Sequence, residues 1–336
     1  MSQLGTYEIR QFAKSGLLVD LKPFVEGPEG LNISAEDAPI FEAGMVDGGL
    51  YWLPFNVSVP VLYCNEDAFR EAGVESIPAT WEAFYDTARQ LTRRDEQGRV
   101  TQAGVALWNI SWPYLSMIWS EGGELASRDY ASITLNDPVA VEVLSRLQGL
   151  VREGAAVMPD KATGGHRAAF QSGMAAMLPD SPAACAELLS DGNGFKAVAG
   201  VFPAGRAGRV FAPGGGGLVM MATTPAETRE SAWAFMRYLL SAESLAYYSE
   251  QTGYVAYTEG ARAALRRESF PAGMEAVHES ARHIRGDFTV NMAPGVRNAL
   301  GEAIQAILIN LADVQATLDA ADARAEEAMA RESGQP

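Results

Sequence analysis

Two hydrophobic patterns alternate along the chain: short apolar runs, and longer stretches whose apolar positions recur with helical spacing. The short runs predict buried strands and the longer stretches predict helices. The predicted strands span 50–54, 59–63, 104–107, 175–178, 195–202 and 217–221, and the predicted helices span 7–15, 65–72, 80–94, 137–154, 224–240, 241–251, 296–311 and 313–330. Because strands and helices interleave throughout, the pattern predicts an α/β fold.

Residues typical of helix N-caps predict where several of these helices begin. Thr80 is the predicted N-cap of the helix that starts at Trp81, and Asp137-Pro138 opens another helix with proline early in the first turn. Ser181-Pro182 has the same form, so its free N–H groups offer an anion site, with a plain cap as the alternative. The glycine run 214–217 lets backbone approach a ligand, with a hinge or turn as the alternative.

Composition narrows the classes of function. The chain has 336 residues, enough for one large domain or two lobes, and a formal net charge of -16, which argues against nucleic acid as a partner. It contains no apolar run long enough to span a membrane, and residues 1–6 lack the basic and apolar regions of a secretory leader. The two cysteines, Cys64 and Cys185, form neither a disulfide framework nor a zinc site. We expect two packed thiols, with a single bridge in an oxidising compartment as the alternative.

Catalytic motifs are missing from the sequence. His166, His278 and His283 have no metal-ligand spacing, and we expect them to be solvated helix residues. The glycine run lacks the Lys-Ser/Thr of a P-loop, and no G-x-S-x-G elbow occurs. We therefore predict no catalytic residue, no metal and no cofactor, and expect a protein that is not an enzyme.

Four segments carry a resemblance to a known family. They are LPFNVSVPVLYCNEDAF at 53–69, IPATWEAF at 77–84, FQSGMAAM at 170–177 and QTGY at 251–254. In this order and spacing the chain resembles the extracellular solute-binding proteins of carbohydrate-type ABC importers (family 1). The resemblance extends from about Tyr7 to the C-terminus.

The resemblance implies a fold and a place of action. The fold is a two-lobed periplasmic-binding-protein fold, type II-like, with hinge crossovers; lobe one comprises 1–57 plus 204–258, and lobe two 59–203 plus 259–336. A ligand is captured between the lobes by hinge closure and passed to ABC permease membrane subunits, in the periplasm or another extracytoplasmic space. Family members have a leader and further elements before the step matched by Tyr7-Glu8, so lobe one is expected to be incomplete here.

The resemblance also implies a set of ligand contacts. The residues at matching positions are Glu8, Ser58, Trp108, Trp112, Ser181, Gly215, Tyr254 and Arg297. Within this set Glu8 meets ligand hydroxyls, while Arg297 and Gly215 meet a phosphate group. Trp108 is displaced by one position from the family's pattern.

These residue types suit a small phosphorylated polyol, and each also has a structural alternative. A guanidinium holds two phosphate oxygens at once, but Arg297 could instead pair with Glu302. The tryptophans can lie flat on ligand C–H groups or belong to a core. The implied ligand is sn-glycerol 3-phosphate or a glycerophosphodiester. A neutral sugar or polyol is the alternative within the class, and a hydrolase or sensor partner on the same fold is the alternative from another class.

Overall fold

The computed structural model describes residues 1–5, 8–108, 110–127, 132–159, 165–285 and 294–332. The chain divides into two compact units. Unit one contains Met1–Val59, Ala212–Phe270 and Val277–Met292, and unit two contains Pro60–Phe211, Pro271–Ala276 and Ala293–Pro336. Each unit therefore consists of segments that are distant in sequence.

Unit one combines short helices with a small central sheet. Its strands are β1 (Ser2–Gly5), β2 (Met45–Val46), β3 (Gly49–Leu50), β4 (Leu53–Ser58) and β11 (Gly214–Val219). Its helices are α1 (Ile9–Lys14), α2 (Lys22–Val25), α3 (Ala38–Glu42), α10 (Ala226–Leu239), α11 (Ala242–Thr252) and α12 (Glu259–Ala264). The chain passes from unit two back to unit one within α13 (Met274–Ser280).

The sheet of unit one has the order β1-β11-β4, and both pairings are antiparallel. Under it lies an apolar cluster of Ile9, Leu18, Ala43, Val46, Trp52 and Val219. The indole Nε1 of Trp52 donates to the carbonyl of Leu4 at 3.1 Å, so this large side chain is buried with its polar atom satisfied. The cluster fixes β1 and β4 on either side of β11.

The strand predicted over 50–54 corresponds to β4 in the structure, which is one residue longer and runs from Leu53 to Ser58. Proline lacks an N–H and is normally confined to strand edges, first positions or bulges. In the structure Pro54 is the second residue of β4, and it pairs with Gly217 where the register of β11 shifts between Gly216 and Gly217. This bulge accommodates the proline, so the strand continues to Ser58.

Unit two is built on a larger mixed sheet. Its strands are β5 (Val61–Asn65), β6 (Arg93–Arg94), β7 (Val100–Ala106), β8 (Ala156–Val157), β9 (Ala175–Asp180) and β10 (Ala197–Val201), in the order β10-β5-β9-β7-β6 with β8 beside β7. The central pair β7 and β9 is parallel, whereas β5 runs antiparallel to both of its neighbours. Every residue of β5 and β9 is buried, as their uninterrupted apolar runs predict.

Helices cover this sheet. They are α4 (Glu66–Glu71), α5 (Trp81–Gln90), α6 (Ser111–Ser120), α7 (Pro138–Arg152), α8 (Gly165–Gln171), α9 (Cys185–Leu188), α14 (Pro294–Leu308) and α15 (Val314–Glu332). The hydroxyl of Thr80 accepts from the Ala83 N–H at 3.2 Å, and the Asp137 carboxylate accepts from the Val139 N–H at 2.8 Å. Both predicted helix starts are therefore confirmed.

The mixed α/β architecture predicted from the hydrophobic pattern is confirmed. Cys64 and Cys185 are buried free thiols, as expected, and burial raises the pKa of both. Among the described residues, none of the helices has the length and apolar content needed to cross a membrane.

Candidate functional site

The glycine run of β11 presents bare backbone in unit one. Gly215 is exposed and has a φ of +94°, a conformation that side chains with a Cβ rarely adopt. A Cβ at this position would lie 1.8 Å from the carbonyl oxygen of Asn56 on β4. Glycine is therefore required by the strand itself, and the same absence of a side chain leaves the backbone open to a ligand.

A polar group of side chains lies beside these glycines. The amide of Gln3 on β1 donates to the side-chain oxygen of Asn56 on β4, across Gly216. Glu8 is exposed at the N-cap of α1, where its carboxylate makes no capping hydrogen bond. A Cβ added to Gly5 would lie 3.1 Å from Glu8 Oε2, which places this acid over the end of β1.

Ser58 and Tyr254, two further predicted contacts, flank the same sheet. Ser58 is buried at the end of β4 and pairs with Gly214. The backbone N–H of Val255, the residue after Tyr254, donates to the carbonyl of Val57 at 2.9 Å. The segment that contains Tyr254 is therefore held against β4. The Tyr254 ring stacks on Tyr248 with ring centroids 6.0 Å apart. Glu8, Ser58, Gly215 and Tyr254 thus all belong to unit one; Tyr7 lies outside the described residues.

Unit two holds the two predicted tryptophans next to each other. Trp108 follows β7 and Trp112 lies in the first turn of α6; their rings meet edge to face with centroids 6.0 Å apart. Trp112 is only 4% exposed, a burial that suits the core alternative, whereas Trp108 is half-buried. Trp108 is therefore the more exposed of the two residues, despite its displacement from the family's pattern.

Ser181 is the N-cap that the sequence predicts. Its hydroxyl accepts from the Ala183 N–H at 3.2 Å, and its carbonyl accepts from the Tyr63 hydroxyl at 2.8 Å. The 3-10 turn Pro182–Ala184 and the four-residue α9 follow it. Because this helical segment is so short, its dipole adds little to an anion site.

Asp180 connects Ser181 to two basic side chains. This carboxylate is fully buried and accepts from the Ser181 N–H at 2.6 Å and from Arg167 Nε and Nη2 at 2.7 and 3.1 Å. Burial by itself raises the pKa of Asp180, but contacts with His166, Arg167 and the Ser181 N–H outweigh it, so the pKa lies below its ordinary value. Asp180 is consequently an anion in the folded protein.

The expectation of solvated histidines is wrong for two of the three. His166 is 4% exposed; it stacks on Trp108 with centroids 5.0 Å apart and an interplanar angle of 12°. His278 is 2% exposed, accepts from the Ala256 N–H at Nδ1, and stacks on Phe270 at 4.6 Å. In each case an aromatic partner from another segment, Trp108 for His166 and Phe270 for His278, covers one face of the imidazole.

Arg297 is half-buried in the first turn of α14. Glu302, the alternative partner considered for Arg297, lies 3.9 Å from Arg324. Trp108, Trp112, Ser181 and Arg297 all belong to unit two.

Several polar residues of these two regions were not singled out from the sequence: Gln3, Asn56, His166, Arg167 and Asp180. Asn56 and Asp180 each lie within two residues of a predicted contact, Ser58 or Ser181, which was the available signal. His166 has no such signal because its partners come from other elements. Within the part of the chain that the structure describes, no group of three or more His, Cys, Asp or Glu side chains is placed to hold a metal ion.

Comparison with known proteins adds a family and a set of relatives. A family model described as bacterial extracellular solute-binding protein matches residues 1–246. The sn-glycerol-3-phosphate-binding periplasmic protein UgpB of Brucella melitensis is 25% identical over 304 residues, covering 84% of this chain and 68% of that protein.

Two solved structures share the fold. UgpB from Mycobacterium tuberculosis, in complex with glycerophosphocholine, aligns with a TM-score of 0.82 and 21% identity, covering 98% of this chain and 83% of that one. The ABC substrate-binding protein Lmo0181 from Listeria monocytogenes, in complex with cycloalternan, aligns with a TM-score of 0.81 and 21% identity, covering 97% and 84%. The expected likeness to solute-binding protein folds is confirmed.

Proposed function

The chain belongs to the family of bacterial extracellular solute-binding proteins, and from that premise we propose that it captures a phosphorylated polyol for an ABC importer. It binds the solute outside the cytoplasmic membrane and delivers it to the permease subunits without altering it. The ligand is sn-glycerol 3-phosphate or a glycerophosphodiester. The observation that carries the choice of ligand is the 25% identity to a glycerol-3-phosphate-binding protein over most of the chain.

The chemistry of the two regions supports this ligand class. Arg297 offers a planar fork of N–H donors for two phosphate oxygens, and the exposed Gly215 backbone offers a further contact without steric hindrance. The exposed Glu8 carboxylate accepts from the hydroxyls of a glycerol unit.

Charge-assisted hydrogen bonds of this kind contribute about 1.5–3 kcal/mol each. Several of them, reduced by the free-energy cost of association, give a dissociation constant on the order of 1 μM. That affinity is sufficient for the proposed capture from dilute solution.

A neutral sugar or polyol is the second candidate, and the tryptophans favour it. Trp108 is half-buried beside Trp112, and flat aromatic surface suits the C–H faces of a sugar ring. A related fold is known in complex with cycloalternan. The two candidates differ in whether a phosphate group is needed for binding.

Calorimetric titration of the purified chain separates them. The panel consists of sn-glycerol 3-phosphate, glycerophosphocholine, glycerol and maltose. Micromolar binding of the two phosphate compounds, with no heat from glycerol or maltose, is the expected result. Tight binding of maltose alone would replace the first candidate with the second, and turnover of glycerophosphocholine would support an enzyme instead.

A further inference from the structure

A buried histidine and a buried aspartate connect two of the proposed ligand contacts inside unit two. The imidazole of His166 stacks on Trp108 with an interplanar angle of 12°, and its Nε2 lies 3.3 Å from Asp180 Oδ2. The other oxygen of Asp180 accepts from the Ser181 N–H at 2.6 Å. The order of contacts is therefore Trp108, His166, Asp180, Ser181.

Each end of this series constrains a proposed ligand contact. Trp108 lies in the loop that follows β7, a place where an unsupported indole can turn freely about its side-chain bonds. The nearly parallel imidazole covers one of its faces, and Trp112 meets it edge to face. Asp180, at the end of β9, holds the backbone of Ser181 in the position from which its turn begins.

Arg167 anchors the carboxylate at the centre. Its guanidinium contacts both oxygens of Asp180 and reaches Glu187 at 2.9 Å. Asp180 itself is fully buried. A buried, bidentately held carboxylate has little freedom to move, so it serves as a fixed point for the neighbouring imidazole.

Histidine makes two contacts that neither phenylalanine nor glutamine can make together. Phenylalanine would keep a flat ring against Trp108 but has no polar atom for Asp180. Glutamine would keep a polar atom for Asp180 but would not stack on the indole. Both ring nitrogens of His166 are buried without a hydrogen-bond partner among the described residues, and Nε2 lies 3.3 Å from Asp180 Oδ2. The ring is therefore oriented by the stack on Trp108 and by this close approach to Asp180.

We propose that His166 is a positioning residue: it fixes the plane of the Trp108 indole for ligand contact and couples that plane to Ser181 through Asp180. This inference rests on the proposed function, because it assigns Trp108 and Ser181 to the ligand site. His166 itself does not touch the ligand.

The test compares His166→Phe and His166→Gln with the unaltered protein, in the full chain. Both variants are expected to weaken binding of sn-glycerol 3-phosphate about 5–10-fold, since coupling between contacting residues is of that order. In a Trp108→Ala background the same substitutions are expected to change affinity less than 2-fold. Melting temperatures measured in parallel show whether the variants fold.

A second readout does not depend on any ligand. Acrylamide quenching of tryptophan fluorescence, with Trp108→Phe used to subtract the other indoles, reports the accessibility of Trp108. Greater quenching of Trp108 is expected in both His166 variants. The increase should be larger in His166→Gln, which removes the covering ring, than in His166→Phe, which keeps a ring that no longer has a polar atom beside Asp180. Unchanged quenching in folded variants would overturn the inference, whatever the ligand result.

The two proposals fail separately. If the unaltered protein binds none of the ligand panel, the proposed function is lost, and the quenching measurement still decides the role of His166. If the unaltered protein binds sn-glycerol 3-phosphate and both His166 variants bind it equally well, the positioning role is lost while the proposed function stands.

Discussion

The two units present their predicted ligand residues in different ways. In unit one the contacts lie on a small sheet where glycines leave the backbone bare, and the neighbouring Glu8 and Gln3 are exposed. In unit two the buried His166 stacks on Trp108, and the buried Asp180 accepts a hydrogen bond from the Ser181 N–H. The proposed ligand contacts of unit one therefore depend on backbone that no side chain covers. Those of unit two depend on buried residues that fix the orientation of the contact residues.

The largest expected effect is on the glycine strand. Gly215→Ala introduces a Cβ that would lie 1.8 Å from the Asn56 carbonyl and requires a φ of +94°. The strands must separate to accept it, and we expect a loss of about 4 kcal/mol in the free energy of unfolding. Urea denaturation measures this loss.

Gly208→Ala is the matched control. Gly208 has a similar φ of +89°, but a Cβ there meets nothing within 4 Å. The control isolates backbone strain from the clash, and we expect it to cost about 1 kcal/mol. Equal losses in the two variants would show that the close approach of β11 to β4 contributes nothing to the destabilisation caused by Gly215→Ala.

The next largest loss in the free energy of unfolding is expected when Asp180 of unit two is replaced. Asp180→Ala leaves Arg167 without its bidentate partner and the Ser181 N–H without its acceptor. Breaking a buried pair in this way typically costs 3–5 kcal/mol. Arg167 is 30% exposed and keeps Glu187, so we expect a loss of about 3 kcal/mol.

Glu327→Ala serves as the control for that substitution, because Glu327 and Arg331 form an exposed ion pair at 3.2 Å. We expect a change below about 0.5 kcal/mol. A loss at Asp180 no larger than this would mean that the carboxylate does not hold the region together.

The buried imidazole of His278 predicts a pH dependence of stability. Burial lowers the pKa of His278 to about 4, although the charge of Glu250 acts in the opposite direction. The unfolded chain takes up this proton near pH 6.5, before the folded chain does, so stability falls as the pH drops from about 6.5 to about 4. The full loss is about 3 kcal/mol.

His278→Gln keeps a hydrogen-bond acceptor for the Ala256 N–H and removes the titrating group. Urea denaturation at intervals between pH 7 and pH 4 should show a smaller decline for this variant than for the unaltered chain. Parallel curves for the two proteins would contradict the assignment of the decline to His278.

The smallest change in the free energy of unfolding is expected for the hydrogen-bonded pair Gln3 and Asn56 of unit one. Gln3→Ala removes the donor to the Asn56 amide, and because Gln3 is exposed, water replaces the lost hydrogen bond. We expect less than about 1 kcal/mol of destabilisation, measured by urea denaturation. A larger loss would show that the sheet of unit one depends on side chains as much as unit two does.

Local signals in the sequence were sufficient for the α/β class and for helix starts. The caps at Thr80 and Asp137 involve atoms only two or three residues away, so the residue type and its position predict the contact. The continuation of β4 beyond Pro54 was missed because the irregularity that permits it arises only from pairing with β11, a strand more than 150 residues later.

The support behind the candidate contacts could not be predicted from the sequence. His166 is read as a solvated residue when its own helix alone is considered, and Trp108, which covers it, belongs to another element. Gln3 and Asn56 are 53 residues apart and meet only because β1 and β4 flank β11. Tertiary pairing of this kind leaves no periodic pattern in the chain.

The central claim is that a phosphate group is recognised and that Arg297 holds it. Titration of Arg297→Ala with sn-glycerol 3-phosphate, beside the unaltered chain and the control Arg331→Ala, tests it most directly. Loss of a charge-assisted pair worth about 3 kcal/mol predicts affinity about 100-fold weaker in Arg297→Ala and unchanged in Arg331→Ala. Equal affinity in all three proteins would contradict the claim.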